Sequence, residues 1–175
     1  MLVRLAREEE YVAAGHLTVA GYDADDYLIK PDGDYDQRYA DWLVDAPSRG
    51  RDGHLLVAVD GEELLGTTTW CPPGSPYREL ATQDHQGEFR TLAVSPAARG
   101  RGIGTALVSD CLLRAKEMGL TEMMICSLDD MAPAHRLYES FGFVRRPELD
   151  WSPVPGVQLW AFSLQLDPME EGLTA

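Results

Sequence analysis

No stretch of this chain restricts its fold as tightly as residues 88 to 105. Glu88-Phe89-Arg90-Thr91-Leu92-Ala93-Val94 reads as a strand, Ser95-Pro96-Ala97-Ala98 as a turn, and Arg99-Gly100-Arg101-Gly102-Ile103-Gly104-Thr105 as a glycine-rich entrance to an apolar helix. That helix is predicted over Gly102–Met118, with Gly119 as its stop. The first turn of a helix carries backbone N–H groups without intrahelical partners, and the helix dipole adds partial positive charge there. Glycines let such a backbone come close to a ligand, which predicts a cradle for phosphate oxygens. A nucleotide P-loop would need Gly-Lys-Ser/Thr here, and the segment has no lysine. A dinucleotide fingerprint would place its third glycine at Leu107, so that pattern fails too. A glycine-rich loop used only for tight packing stays open on the glycines alone.

A second motif narrows the choice. Arg99-x-x-Gly102-x-Gly104 follows the Leu92-Ala93-Val94 strand, and Ala134-His135-Arg136-Leu137-Tyr138-Glu139-Ser140-Phe141-Gly142-Phe143 comes later, with a strand at Glu122–Leu128 between them. The pair resembles the acetyl-CoA signature and the Ala-x-x-Leu-Tyr-Glu-x-x-Gly-Phe segment of the GCN5-related N-acetyltransferase (GNAT) superfamily. The resemblance implies an α/β (mixed α+β) fold. Its central mixed, mostly antiparallel sheet has six to seven strands flanked by helices, and a splayed strand pair holds acetyl-CoA as cosubstrate.

The resemblance also implies roles. Main-chain groups of Leu92, Ala93 and Val94 would hold the pantetheine arm and the oxyanion, where preorganised donors are typically worth about 3–4 kcal/mol of barrier. Arg99, Gly100, Arg101, Gly102, Ile103, Gly104 and Thr105 would cradle the pyrophosphate, the two arginines adding charge. Glu88 stands where relatives carry a general base, needed because an amine with a pKa of about 10.4 is mostly protonated at neutral pH. Its structural alternative is a strand-end carboxylate, or one paired with Arg90. Tyr138 aligns with the general acid that protonates the departing thiolate; its alternative is a core tyrosine. Relatives often carry Asn where this chain has Met131, and Ser127 or Asp130 are the candidate substitutes.

Composition excludes other classes. A formal charge of −14 and a sequence pI near 4.5 argue against nucleic acid and anionic membranes as partners and favour a cationic acceptor. With no apolar run long enough to span a bilayer and no signal-like opening, the expected location is cytoplasmic. Cys71, Cys111 and Cys126 suit neither a disulfide framework nor zinc, and His16, His54, His85 and His135 form no ligand pattern, so no metal is expected.

The remaining elements are predicted from patterning. They are a strand at Leu2–Leu5, a helix from Glu8 to about Ala20, a loop over 21–36 and a short helix over Tyr35–Leu43. Strands His54–Val59 and Glu63–Trp70 flank Asp60-Gly61, and Cys71–Gln86 is an irregular excursion. A helix at Pro133–Ser140 and a last strand at Gln158–Leu166 complete a single domain over 1–166, with a frayed tail at 167–175.

The expected activity is acetyl transfer to a primary amine of a small cationic molecule. A protein N-terminus or lysine is an alternative acceptor, and a non-catalytic acyl-CoA-binding or sensory module is an alternative function; a homodimer is open. Acidic residues between Gly21 and Asp45, and Tyr22, Tyr27, Tyr35, Trp42, Trp70 and Tyr77, are candidate acceptor-pocket groups, with a solvated acidic face and an aromatic core as the plainer readings.

Overall fold

The computed structural model describes residues 1–167; the rest of the expected tail lies outside the described residues. Seven strands pair in the order β1-β2-β3-β4-β5-β7-β6. They are β1 (Leu2–Leu5), β2 (Leu55–Asp60), β3 (Glu63–Cys71), β4 (Gln86–Val94), β5 (Glu122–Leu128), β6 (Val144–Arg145) and β7 (Leu159–Gln165). The helices are α1 (Tyr11–Asp23), α2 (Gln37–Val44), α3 (Ala46–Arg51), α4 (Ile103–Glu117) and α5 (Ala132–Ser140). The order and chemistry of these elements match the mixed, mostly antiparallel sheet expected, at the upper end of the predicted strand count.

The chain packs as two compact units, which share β4 and α4 by chain continuity: Met1–Trp70 with Arg90–Asp110, and Cys71–Phe89 with the residues from Cys111 onward. In the first unit β1, β2 and β3 are antiparallel neighbours, with Leu2 opposite Val59 and Leu55 opposite Thr69. Strand β2 is buried on both faces from Leu55 to Val59, so its side chains form a continuous apolar run rather than an alternating one. Leu55, Val57 and Val59 share one face and pack with Ala14 of α1 and Ala46 of α3. On β3, a Cβ built at Gly66 would lie 2.8 Å from Ile103 Cγ2 and 2.9 Å from the Ala93 carbonyl oxygen. Glycine at this position is what lets the first turns of α4 seat against the strand. The hairpin between β2 and β3 turns at Gly61-Glu62, one residue later than the predicted Asp60-Gly61, because Asp60 is already paired with Glu63. Gly61 takes the positive φ of 60° that a two-residue hairpin needs.

Helix α3 was not predicted from patterning. Its start is a local signal all the same: the Asp45 carboxylate accepts from the Ser48 N–H at 3.2 Å, and Pro47 occupies the first turn. Helix α1 runs on to Asp23, three residues beyond the predicted end at about Ala20. In the second unit β4 pairs parallel with β5 over Gln86–Glu88, and β5 pairs antiparallel with β7 from Glu122 opposite Gln165 to Leu128 opposite Leu159. Met123, Met124, Ile125, Ala161 and Phe162 are almost fully buried there.

Candidate functional site

Local geometry begins in β4. Thr91 has φ of 53°, a left-handed conformation that is strained for a β-branched residue and costs of order 1–3 kcal/mol. Hydroxyls offset the disruption. The Thr91 hydroxyl donates to the Arg90 carbonyl at 2.7 Å and Thr68 Oγ1 donates to the same oxygen at 3.0 Å. Thr69 Oγ1 lies 2.7 Å from Thr91 Oγ1. The Arg90 carbonyl at the kink thus accepts two side-chain hydroxyls. Beyond this kink, Leu92 and Val94 are half-buried and Ala93 is buried.

The chain then turns through Pro96–Ala98 into α4. Gly100 and Gly102 have φ of 74° and 76°, and a Cβ built on either meets nothing within 4 Å. The turn therefore needs glycine for its backbone conformation, while the space in front of it is open. The Ala106 N–H closes the first intrahelical bond, onto the Gly102 carbonyl at 3.0 Å. The amides of Ile103, Gly104 and Thr105 precede that closure, as the sequence predicts. The two flanking arginines are held by acidic partners. Arg99 donates to Asp25 Oδ1 at 2.8 Å and to the Gly21 carbonyl at 3.0 Å, and Arg101 donates to Asp60 Oδ2 at 3.4 Å. Both remain substantially exposed, at 40% and 47% of their side-chain surface, so each can be drawn to a polyanion.

In the second unit, the Glu88 carboxylate is fully buried. Its Oε2 accepts the backbone N–H groups of Glu79, Leu80 and Ala81 at 2.8, 2.9 and 3.0 Å. It is therefore not the strand-end surface carboxylate of the plainer reading. The Arg90 guanidinium lies 5.2 Å from the centroid of the Trp42 ring. Tyr138 is buried, with its ring edge-on or tilted to Phe89, Phe143 and Phe162 at 5.9, 5.9 and 5.8 Å. Met131 is buried at the start of α5.

Ser127, one of the two candidate substitutes for the missing Asn, is tied to a histidine that patterning left without a role. His135 Nε2 lies 2.9 Å from Ser127 Oγ and 3.0 Å from the Leu128 carbonyl. A carbonyl only accepts, so Nε2 carries the proton, and Ser127 Oγ shares it as an acceptor. The Ser127 hydroxyl is thereby oriented to donate away from the ring. Burial holds the His135 pKa below the usual histidine value, and its ring stacks on Trp160 at 5.2 Å.

Several acidic residues of the 21–45 stretch are occupied in local structure. Asp36 caps α2 through the Tyr39 N–H, Asp45 caps α3, Asp41 accepts from Gln37, and Asp25 holds Arg99. The aromatic residues there form a contiguous set. Tyr22 meets Tyr27 and Tyr39 edge-on, Tyr39 stacks on Trp42, and Arg49 and Arg90 both approach the Trp42 ring. The cation–π capacity of Trp42 is therefore engaged by the protein's own arginines.

The family model for the acetyltransferase (GNAT) family matches residues 18–143, a span that includes both motifs and the whole of β4 and α4. The chain belongs to the GNAT family. Among curated relatives, it is 32% identical over 105 residues to an uncharacterized N-acetyltransferase of Schizosaccharomyces pombe, covering 60% of each protein. It is 34% identical over 100 residues to a mycothiol acetyltransferase of Geodermatophilus obscurus, covering 55% of this chain and 31% of that one. The chain thus matches less than two thirds of the length of these relatives. Among solved structures, the fold is similar to a ribosomal-protein-alanine N-acetyltransferase of Brucella melitensis (TM-score 0.66, 22% identity, 95% of this chain and 100% of that one). It is also similar to yncA of Salmonella typhimurium, solved with acetyl-CoA (TM-score 0.65, 22% identity, 95% of this chain and 94% of that one).

No helix among the described residues is long and apolar enough to cross a membrane. Residues 79–81, which hold Glu88, left no mark in the patterning, because a carboxylate–amide contact from an irregular loop has no periodic signature.

Proposed function

We propose that this GNAT protein transfers an acetyl group from acetyl-CoA to a primary amine of a small cationic molecule in the cytoplasm. The observation that carries the reading is the turn into α4. Two left-handed glycines have open space at their Cβ positions, three amides precede the first helical closure, and two exposed arginines flank Gly100 in the chain. This fits a diphosphate, whose oxygens need N–H donors and positive charge and whose approach a side chain at either glycine would hinder. Arg99 through Thr105 hold it in this reading, and the main chain of Leu92, Ala93 and Val94 carries the pantetheine and the thioester.

The amine nitrogen attacks the thioester carbonyl carbon, the C–S bond breaks, and the thiolate leaves. Main-chain N–H groups of β4 stabilise the oxyanion, and Tyr138 gives its proton to the departing sulfur. Glu88 serves as a positioning residue: its buried carboxylate fixes residues 79–81, and the acceptor's proton passes to water. This sets a positioning role beside the base role expected for Glu88, supported by the three amides that its Oε2 accepts in a fully buried setting.

The test is coenzyme A release from acetyl-CoA across a panel of primary amines. Amine-dependent thiol formation supports transfer. Coenzyme binding without release on any amine, peptides included, overturns it in favour of a binding or sensory module.

A further inference from the structure

A cavity of about 310 Å³ opens on the second unit, lined by Glu79, Leu80, Leu149 and Trp151. Its size is at the lower end of the range for small-molecule sites. Both walls are fixed from behind. The Glu79 and Leu80 amides are pinned on the buried Glu88 carboxylate. Trp151 exchanges two backbone hydrogen bonds with Leu159 of β7, at 3.2 and 2.9 Å. Anchoring of this kind is what a binding wall needs, since an ordered wall loses little entropy when a ligand arrives.

The lining has one character. Three of the four lining residues are two leucines and a tryptophan, and the one ionisable residue among them is Glu79, with the Cys126 thiol 4.0 Å from its Oε2. We propose that this cavity receives the acceptor and selects a small primary ammonium on an apolar body that carries no carboxylate of its own. The inference rests on the acyl-transfer reading above. Glu79 meets the ammonium, and Leu80, Leu149 and the Trp151 ring cover the hydrocarbon. A carboxylate beside the amine would face Glu79 at short range and be repelled, in a chain already carrying a formal charge of −14. Glu79 is therefore a specificity residue, and Glu88 acts through it.

Phenethylamine and phenylalanine are the discriminating probes, since they differ only in that carboxylate. With saturating acetyl-CoA, phenethylamine is the better acceptor. Glu79→Gln raises its KM about fivefold, the scale of a partly exposed ion pair, and leaves kcat and the calorimetric affinity for coenzyme A unchanged. The same variant narrows the preference over phenylalanine. Leu149→Trp, which fills the cavity without touching a charge, raises KM for the amine as well.

A second readout is independent of turnover. Phenethylamine changes the tryptophan fluorescence of the wild type, Trp151→Phe removes that change, and Glu79→Gln weakens the titration. Equal KM values for phenethylamine in wild type and Glu79→Gln, or a preference for phenylalanine or for peptides, overturns the proposal while leaving acyl transfer standing. Absence of coenzyme A release with every acceptor overturns the transfer reading instead, and the fluorescence titration then decides whether the cavity still binds the amine.

Discussion

Replacing Glu88 separates two roles that a buried carboxylate can play. Its Oε2 receives three backbone N–H groups within 3.0 Å. Hydrogen bonds to a charged acceptor contribute about 1.5–3 kcal/mol each, which bounds the set at roughly 5–9 kcal/mol. Two of the three donors belong to residues that reach solvent, Glu79 exposed and Leu80 half-buried, so their amides can rehydrate when the acceptor is lost. Ala81 is buried and its amide cannot. Glu88→Ala is therefore expected to cost about 3–4 kcal/mol, which lowers the melting temperature by roughly 10 °C for a domain of this size. Glu88→Gln keeps an oxygen acceptor and loses the charge, for about 1–2 kcal/mol and a few degrees.

Activity carries the decisive contrast. A positioning residue replaced by its amide leaves kcat within about threefold at every pH, whereas loss of a general base costs about 10²–10⁴ and removes the acidic limb of the pH–rate profile. Thermal melts and a pH–rate profile of Glu88→Gln decide between them. A variant that melts like the wild type and turns over a hundredfold slower would refute the positioning argument.

Other consequences follow from the same geometry. Tyr138→Phe is expected to lower kcat by about 10²-fold while the coenzyme affinity measured by calorimetry stays within about twofold; an unchanged rate removes it as the proton donor. Gly102→Val places a β-branched residue at φ of 76° and a side chain in the open space before α4, so coenzyme A affinity should fall at least about tenfold, or about 1.4 kcal/mol. Equal affinity would remove the diphosphate from that turn. The Arg4–Glu10 pair, with hydrogen bonds of 2.7 Å, lowers the Glu10 pKa to about 2. The hydrogen bond from Arg4 is the first cause. Because the folded pKa lies below the ordinary value, this stabilisation is complete above about pH 4.5 and is lost as pH falls toward 2. Urea melts of Arg4→Gln against wild type should differ at pH 6 and converge by pH 2.

What was legible in the sequence was local. The strand, turn and glycine entrance of residues 88–105 declare themselves because each step has its own residue chemistry, and α5 and β7 follow from period and punctuation. Helix α3 was missed although Asp45 and Pro47 mark its start, because six residues are too few to display a period. The burial of Glu88 and the surroundings of Arg90 were not legible, because one depends on how the irregular loop at 79–81 folds onto the strand and the other on Trp42 of a distant helix. Thr91 is the clearest limit: no propensity predicts a β-branched residue with positive φ, which persists because the Thr68 and Thr69 hydroxyls lie beside it.

The account depends most on where coenzyme A touches this GNAT chain, and backbone amide resonances of the labelled protein report that directly. On titration with coenzyme A, the N–H signals of Gly102, Ile103, Gly104 and Thr105 should shift together and saturate, with the Arg99 and Arg101 side-chain signals following as they leave Asp25 and Asp60. Saturable binding that leaves those four amides where they were, or no binding at all, would contradict it.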